Sequence, residues 1–283
     1  MKNAYLILAH NEWDILRLLV SRLDETGNDI YVHFDRKVSD IPELTTEKAG
    51  LKILTDRVDV RWGDLSMVEA EYALFGEALK KGGYDYYHLL SGVDLPIKSQ
   101  ACINDFLEKN SGRQFIAYTL TEITPEIIRK ARRWHLFPKD FRKEKGLKRI
   151  VRAVFIRAQE ILGIQRNKNV DFKKGSQWCS ITEDMVRYFI SRKDWVMKVF
   201  RHTFCSDEMV MQTLCWQSPF KSSIYCTDDD GKGCMRAIGW QDGKLVDWAA
   251  KDYDRLKDSP ALFARKFNGR DMEFIERIAG LSR

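Results

Sequence analysis

Carboxylates and other polar side chains in this chain follow apolar runs directly, which is typical of groups delivered to one edge of a sheet. The mostly apolar run 86–90 ends in Ser91 and Gly92, and Asp94 follows shortly before Pro96. Ligands of open α/β sheets bind in the crevice beyond the carboxyl ends of the strands. The segment therefore predicts a carboxylate at a ligand crevice, although a purely structural turn explains the same residues equally well.

Three further side chains, each at or near a predicted strand end, would converge on the same crevice. His10 follows the run 4–9, Asp35 follows the run 29–34, and Trp62 lies just before a glycine. A carboxylate such as Asp35 can accept a hydrogen bond from a nucleotide base or a ribose hydroxyl, or it can be a turn acid only. Neither G-x-G-x-x-G nor G-x-x-x-x-G-K-[ST] follows the first strand, which argues against a dinucleotide oxidoreductase and a P-loop NTPase.

A second pair of acids, Asp207 and Glu208, directly follows Ser206. We expect Ser206 to cap a helix, which would place both acids in its first turn, where the helix dipole favours ionised carboxylates. Helix-start preference alone explains these residues. The functional alternative is a general base that is held ionised in a cleft.

Two cations lie inside apolar runs, where a charged side chain needs a partner or an anionic ligand. Arg236 lies within 234–238 and Lys266 within 262–267, and together they could neutralise a diphosphate. Edge-strand charges that face solvent are the alternative for each. The acidic run 228–230 has the spacing of a metal site, but the glycines that follow it favour a hairpin turn, and we assign no metal.

The composition is that of an ordinary soluble globular protein, with 283 residues, 44% hydrophobic, 31% charged and a net charge of +6. Basic residues concentrate in 129–174, a segment that suits nucleic acid, acidic lipid or a charged polysaccharide, or simply a solvated helix face. The aromatic residues within it have spacings that favour helix packing over base stacking. We therefore predict no nucleic-acid partner.

The cysteines and the N-terminus favour a cytoplasmic protein. None of the six cysteines forms a C-x-x-C pair, so neither a zinc site nor a disulfide framework is predicted. We expect the chain to begin with a strand rather than a signal peptide, and no apolar stretch approaches the ~20 residues needed to span a bilayer. Peripheral contact of the basic segment with the inner face of an anionic membrane is left open.

Predicted strands and helices alternate at the intervals of βαβ units, which favours an α/β fold with a mostly parallel central sheet flanked by helices. Asn11 is the expected cap of the first helix, and Ser66 with Glu69 would form a capping box for the second. The predicted strands are 4–9, 29–34, 58–62, 86–90, 115–118, 223–226 and 235–240. The last two would flank a hairpin turn. The predicted helices further along are 103–108, 126–163, 182–191 and one that begins at Ser206.

Taken in order, these motifs resemble the core-2/I-branching β-1,6-N-acetylglucosaminyltransferase and peptide O-xylosyltransferase family over nearly the whole chain. The similar segments are Ala9-His10-Asn11, 32–37, 62–70, the Ser-Gly-Val-Asp-Leu-Pro-Ile-Lys run at 91–98, Gly175-Ser176-Gln177-Trp178, Ser206-Asp207-Glu208 and Leu-Phe-Ala-Arg-Lys-Phe at 262–267. Each motif is modest, but the order and spacing of the set are specific. The Pro that the family has before Asp207 is absent, and 129–174 has no clear counterpart.

The resemblance implies a GT-A-like fold that takes a nucleotide sugar and inverts its anomeric centre without a metal. It implies Glu208 as the catalytic base, Arg236 and Lys266 as cations for the diphosphate, and Asp35 as the acid that contacts uridine. The other donor-binding residues it implies are His10, Trp62, Ser66 and Asp94, the last near the sugar hydroxyls. The acceptor-binding residues it implies are Ser176, Gln177, Trp178 and Asp207. We expect one catalytic domain over 1–283, with a nucleotide-sugar-binding half at 1–120 and an acceptor-binding and catalytic half at 121–283.

We therefore expect an inverting, metal-independent glycosyltransferase. It would move a sugar, GlcNAc first, from a UDP-sugar to a hydroxyl of a glycan or lipid-linked saccharide acceptor, with no cofactor. UDP-xylose or another UDP-sugar, used in surface polysaccharide synthesis, is the second hypothesis. A non-catalytic protein that binds nucleotide sugars or polysaccharides is the alternative of another class.

Overall fold

The computed structural model describes residues 1–141, 146–241 and 244–282. The strands are β1 (Asn3–Ala9), β2 (Asn28–Phe34), β3 (Gly50–Ile53), β4 (Tyr86–Ser91), β5 (Leu95–Pro96), β6 (Phe115–Ile116), β7 (Cys179–Thr182), β8 (Arg236–Ile238), β9 (Trp240–Gln241), β10 (Lys244–Leu245) and β11 (Phe263–Arg265). The helices are α1 (Trp13–Leu23), α2 (Ser66–Lys81), α3 (Gln100–Lys109), α4 (Pro125–Ala131), α5 (Leu147–Ile161), α6 (Glu183–Ser191), α7 (Lys193–Phe200), α8 (Val210–Trp216), α9 (Asp230–Cys234), α10 (Tyr253–Lys257) and α11 (Met272–Gly280). Short 3₁₀ turns cover Pro138–Asp140, Ser206–Glu208, Pro219–Ser223 and Ala250–Asp252.

A six-stranded sheet with the order β3-β2-β1-β4-β7-β6 forms the centre of the fold. β1 pairs in parallel with both β2 and β4, and β2 pairs in parallel with β3, whereas β7 runs antiparallel to β4 and to β6. The unbroken burial of β1 and β4 follows from this position, because the central strands of such a sheet are covered on both faces. The predicted α/β class with a mostly parallel central sheet is confirmed.

Two apolar clusters hold helices against the sheet. Leu6 belongs to the cluster that includes Phe75 of α2, whereas the next residue, Ile7, belongs to the cluster that includes Leu19 of α1. Successive side chains of a strand point to opposite faces, so β1 contributes to both clusters. Full burial of a side chain such as Leu19 or Phe75 stabilises the fold by about 1.5–3 kcal/mol.

A second, three-stranded sheet with the order β5-β11-β8 adjoins the end of β4. β11 pairs antiparallel with β5 and parallel with β8. The backbone N–H of Phe267 donates to the carbonyl of Val93 at 3.0 Å, which ties the end of β11 to the turn after β4. This sheet therefore brings the C-terminal part of the chain to the turn that carries Asp94.

The third strand is not 58–62, as the sequence predicted, but β3, which forms the edge of the sheet beside β2. Val58 instead contacts the end of β2 by single hydrogen bonds. Its N–H donates to Nε2 of His33 at 2.8 Å, and its carbonyl accepts from the N–H of Arg36 at 2.9 Å. A buried histidine and a turn thus take the hydrogen bonds that a neighbouring strand would have taken.

The predicted helix caps at Asn11, Ser66 and Ser206 are wrong. α1 begins after Glu12, and Ser66 is the first residue of α2 rather than its cap. The turn that contains Ser206 is preceded by Cys205, whose φ of +54° is left-handed. The chain therefore enters the turn at 206 from a bend, and a full helix starts only at α8.

The long predicted helix 126–163 is interrupted, because α4, a 3₁₀ turn and α5 occupy this range. The predicted hairpin around 228–230 is also wrong. Asp229 caps α9 by accepting from the N–H of Lys232 at 2.8 Å, and β8 pairs with β11 rather than with the chain before α9. Outside the described residues lie Arg142, Lys143 and Lys145 of the basic segment.

Candidate active site

The carboxyl ends of β1 and β2 open into a pocket of about 270 Å³. Its lining brings together three of the residues predicted to bind a donor, which are His10, Asp35 and Trp62. The other lining residues are Lys37, Val60, Arg61, Met67 and Lys139. The convergence expected from neighbouring strand ends is therefore present, and the binding role of these residues stays a prediction.

Asp35 is buried, and its carboxylate is paired within the chain. The ammonium of Lys37 lies 2.6 Å from Oδ2 of Asp35 and 3.0 Å from Oδ1 of Asp59, so one cation joins two acids. Hydrogen bonds from Arg61 and Lys37 lower the pKa of Asp59 to about 2. Ser66 is buried, and its Oγ accepts from the N–H of Arg61 at 2.7 Å. A ligand in the pocket would thus meet an Asp35 whose orientation is fixed by Lys37.

Trp62 joins this pocket to the segment that carries Glu208. Its half-exposed indole packs edge-on against Phe204, with ring centroids 5.4 Å apart. Cys205 then donates its N–H to the carbonyl of Gly63 at 2.8 Å. Gly63 has φ +83°, and a Cβ there would lie 2.9 Å from the ring of Phe204. Both the backbone conformation and the close approach therefore require glycine.

Glu208 lies beside two ammonium groups. Its Oε2 is 3.3 Å from Nζ of Lys130 and 3.5 Å from Nζ of Lys174. Both lysines also reach Glu126, at 3.0 and 3.6 Å. Burial alone would lower the pKa of Lys130, but the carboxylates of Glu208 and Glu126 raise it, so this ammonium stays charged at neutral pH. Glu208 is thus a partly exposed carboxylate whose charge is compensated and whose orientation is fixed by two lysines.

Two further acids near Glu208 are withdrawn from solvent. Oδ1 of Asp207 is buried and has no hydrogen-bond partner in the described part of the chain, and burial together with Glu208 raises the pKa of Asp207 to about 7. Glu71 of α2 is buried and accepts from Nε2 of Gln177 at 2.7 Å. Burial and then the charge of Asp207 hold the pKa of Glu71 well above its usual range. Asp207 therefore holds a proton over part of the neutral range, and burial also disfavours the ionised form of Glu71.

Gly175 and Ser176 fix the backbone next to Glu208. The N–H of Gly175 donates to the carbonyl of Glu208 at 2.9 Å, and that of Ser176 donates to Oδ1 of Asp230 at 3.4 Å. A Cβ at position 175 would lie 1.9 Å from the carbonyl oxygen of Ala117, so the close approach requires glycine. Of the residues predicted to bind an acceptor, Ser176 and Asp207 therefore lie next to Glu208 or to its backbone partner, and their binding role stays a prediction.

Asp94 is fully buried in the turn after β4, and its carboxylate is satisfied by the chain itself. Oδ2 accepts from the N–H of Ser91 at 2.9 Å, and Oδ1 accepts from the Ser91 hydroxyl at 2.6 Å. Oδ1 also lies 3.3 Å from Nε of Arg265, whose guanidinium stacks 4.3 Å from the ring centroid of Trp178. A contact between Asp94 and sugar hydroxyls stays a prediction. In this structure Asp94 fixes Arg265 over Trp178.

The two predicted diphosphate cations have different environments. Arg236 is buried, which contradicts the solvent-facing alternative, and it donates to the hydroxyl of Ser180 and the carbonyl of Cys179, each at 2.8 Å. Lys266 is exposed to solvent and lies 3.2 Å from Asp247. A diphosphate contact by Arg236 stays a prediction, and it would require these internal hydrogen bonds to be exchanged.

Sequence reasoning missed four side chains of this site: Glu71, Lys130, Lys174 and Arg265. The two lysines were counted only as members of the basic segment. Glu71 carried a usable signal, because it falls three residues after Val68 on the apolar face of α2, where an acid must find a partner. Arg265 carried no comparable signal, since its partners come from distant parts of the chain.

Larger cavities lie elsewhere, among them one of about 570 Å³ beside Trp248 and one of about 770 Å³ beside Tyr72. Of the site residues predicted from the sequence, Arg236 alone lines either cavity. Over residues 1–141, 146–241 and 244–282, no group of three or more His, Cys, Asp or Glu side chains is placed to hold a metal ion. Within the same ranges, each helix is too short or too polar to cross a bilayer.

Comparison with known proteins relates the chain to one family. A family model described as Core-2/I-Branching enzyme matches residues 3–276. Xylosyltransferase 2 of Rattus norvegicus is 22% identical over 287 residues, a match that covers 93% of this chain and 32% of the relative. Xylosyltransferase oxt of Drosophila pseudoobscura pseudoobscura is 23% identical over 261 residues, covering 84% of this chain and 28% of the relative. The chain spans about a third of the length of the curated relatives it matches.

Proposed function

The chain belongs to the Core-2/I-branching enzyme family, and from this membership we propose that it transfers a sugar from a UDP-sugar to a hydroxyl group of a glycan acceptor. The mostly parallel sheet with flanking helices fits the GT-A-like fold of such an enzyme. The observation that carries the proposal is the position of Glu208. This partly exposed carboxylate is joined, through the contact between Trp62 and Phe204, to the pocket at the ends of β1 and β2.

In the proposed reaction, Glu208 is the general base. Its carboxylate takes the proton of the acceptor hydroxyl while that oxygen attacks C1 of the donor sugar. The bond between C1 and the diphosphate oxygen breaks, its electron pair leaves with UDP, and the configuration at C1 inverts. Lys130 and Lys174 orient the carboxylate before the acceptor arrives, because each has its Nζ within hydrogen-bonding or ion-pairing distance of Oε2.

We assign the charge of the leaving diphosphate to cations of the chain rather than to a metal, because fixed positive groups aimed at a developing charge stabilise the transition state. Lys266 is the accessible candidate, since its partner Asp247 can be exchanged for a phosphate oxygen. Arg236 lies on β8, which pairs with the β11 strand that precedes Lys266. In the proposal, the charge of Arg236 acts on the diphosphate through the protein interior, where the low dielectric constant strengthens electrostatic interactions.

The donor sugar is the finer part of the proposal. GlcNAc is the first choice because of the core-2/I-branching motifs, and xylose is the second, because the relatives are named xylosyltransferases. We place the acceptor, a glycan or a lipid-linked saccharide of surface polysaccharide synthesis, beside Ser176, Gln177 and Asp207. We also propose a cytoplasmic location. A non-catalytic binding protein would bind the same UDP-sugars without releasing UDP.

A donor screen tests the proposal. UDP release is measured with a panel of UDP-sugars and a set of oligosaccharide acceptors, in the presence and absence of EDTA. We expect release with UDP-GlcNAc to exceed that with UDP-xylose and to survive EDTA. Release with UDP-xylose alone would reverse the order of the donors, and loss of activity in EDTA would contradict the metal-free mechanism. Binding without release from any donor would favour the non-catalytic alternative.

The general base is tested with a matched pair of variants. Glu208→Gln keeps the shape of the side chain but removes the proton acceptor, so we expect turnover to fall by roughly 10²–10⁴-fold while UDP binding is kept. Glu126→Gln is the control, because Glu126 contacts the same two lysines. If both variants lose activity equally, the ion-pair network rather than the base accounts for the loss.

A further inference from the structure

Helix α5 has its polar and apolar faces the opposite way round from an ordinary surface helix. Towards the protein it presents Gln159, which is buried and makes two hydrogen bonds with the backbone of Trp134. Oε1 accepts from the Trp134 N–H at 2.8 Å, and Nε2 donates to its carbonyl at 3.0 Å. Arg152 donates to the carbonyl of Leu136 at 3.2 Å, and Ile156 is buried nearby on the same face. Polar bonds therefore dock the inner face.

The outer face of α5 is apolar. At 100° per residue, six of its side chains fall within about 100° of the helix circumference. This outer stripe consists of Leu147, Ile150, Val151, Val154, Ala158 and Ile161. Its five large members are between 40% and 76% exposed, and Leu162 and Ile164 extend the exposed apolar surface beyond the helix end. A contiguous apolar patch of this kind usually marks an interaction surface.

Basic side chains border the outer stripe. At 100° per residue, Lys148 lies beyond one edge of the stripe and Arg157 beyond the other, and both are exposed. The acid of this helix, Glu160, lies 3.2 Å from Arg157, and Asp140 lies 2.8 Å from Lys148. The surface therefore has aliphatic side chains in the middle and one cation on each side, in exposed ion pairs whose acid a lipid phosphate can replace.

We propose that α5 lies along the surface of an anionic lipid bilayer, with the outer stripe inserted at the boundary of the acyl chains and the basic side chains against lipid phosphates. An amphipathic helix with a cationic border is the arrangement that binds such an interface. A second copy of the chain would bring the same basic residues against one another. A nucleic acid would meet aliphatic side chains where stacking is needed.

The docked position of α5 also relates the bilayer to the candidate active site. Gln159 holds Trp134, which follows α4, and α4 carries Lys130 beside Glu208. A bilayer against α5 would therefore lie next to the half of the chain where an acceptor is proposed. The inference itself rests on the outer stripe and its charged border, and it stands whether or not the chain transfers sugars.

Vesicle flotation of the full chain tests the inference. The probes are vesicles of phosphatidylcholine alone and of phosphatidylcholine mixed with phosphatidylglycerol. We expect the protein to float with the mixed vesicles, to stay in solution with the neutral ones, and to lose binding as salt is added.

Two sets of variants separate the contribution of the outer stripe to lipid binding from that of the basic border. Ile150→Glu with Val154→Glu should lower the partition coefficient at least tenfold, since it places charge in the middle of the outer stripe. Lys148→Gln with Arg157→Gln should lower it by roughly fivefold for each charge removed. Ile41→Glu is the control, because Ile41 is also an exposed aliphatic residue but lies outside the basic segment. Circular dichroism checks that each variant is folded.

The outcomes are distinguishable. Absence of flotation for the wild-type chain, or equal flotation of the Ile150/Val154 variant, would overturn the inference. Equal binding to neutral vesicles would overturn the role of the basic border. If light scattering showed a wild-type dimer that this variant dissociates, with no lipid binding, the outer stripe would be an interface between copies instead. Failure of the donor screen would leave the flotation result unaffected.

Discussion

Replacing Asp207 by Asn should change how the stability of the protein depends on pH. Burial and the charge of Glu208 raise the pKa of Asp207 from 3.8 to about 7, so the folded protein holds a proton there that the unfolded chain releases near pH 4. The contribution of this group to the free energy of unfolding therefore falls as the pH rises from about 4 to about 7. Asn cannot ionise, so the variant lacks this loss.

The size of the effect follows from the shift. One pKa unit corresponds to about 1.36 kcal/mol. A shift of about three units therefore allows Asp207 to change the free energy of unfolding by at most about 4 kcal/mol. Glu71, Glu208, Lys130 and Lys174 interact electrostatically with Asp207, so the effect of this one substitution is spread over several groups. We expect the variant to gain roughly 2–4 kcal/mol relative to wild type between pH 4.5 and pH 8.

The measurement is a difference between two proteins, because buried histidines act in the opposite direction. Burial lowers the pKa of His135 to about 4 and lowers those of His33 and His88, so these groups favour the folded state as the pH rises. Urea unfolding of wild type and of Asp207→Asn at several pH values cancels that shared contribution. Parallel stability curves for the two proteins would refute the reasoning.

Three further changes have defined outcomes. Gly175→Ala should lower the melting temperature by several degrees or prevent folding, because the new methyl group would overlap the Ala117 carbonyl oxygen. Thermal unfolding measures this, and an unchanged midpoint would contradict it. Asp94→Ala should cost about 3–5 kcal/mol in urea unfolding, because it leaves Arg265 largely buried without its carboxylate; Asp94→Asn, which keeps an acceptor oxygen, should cost less. Trp62→Ala should raise the KM for the UDP-sugar. Its effect on the free energy of unfolding should be small, because half of the Trp62 surface is exposed. A change in stability without a change in KM would argue against a role of Trp62 in the pocket.

The centre of the fold was predictable because its strands are buried on both faces. β1, β2 and β4 are buried along nearly their whole length, and continuous burial appears in the sequence as continuous apolar runs. The edge strand β3 alternates between exposed and partly buried residues, so its signal is weak. The segment after it resembles a strand more strongly, yet it is fixed by the side chain of His33, which no periodicity reveals.

The candidate site was predictable where it depends on strand ends and not where it depends on long-range pairing. His10, Asp35 and Trp62 line one pocket because the parallel strands end at one edge. The burial of Arg236 follows instead from carbonyl oxygens of β4 and β7, which are distant in the sequence. The grouping of Glu71 with Asp207 likewise requires α2 to pack beside the turn at 206–208. The spacing of residues along the chain does not predict that contact.

The hydrogen bond between Cys205 and Gly63 has a kinetic consequence. It ties the backbone that carries Glu208 to Trp62 in the wall of the pocket at the ends of β1 and β2, so a donor bound there, as proposed, would order Glu208 together with Trp62. Binding would then follow a compulsory order, with the UDP-sugar first and the acceptor second. Initial-rate studies should find UDP competitive with the donor and noncompetitive with the acceptor.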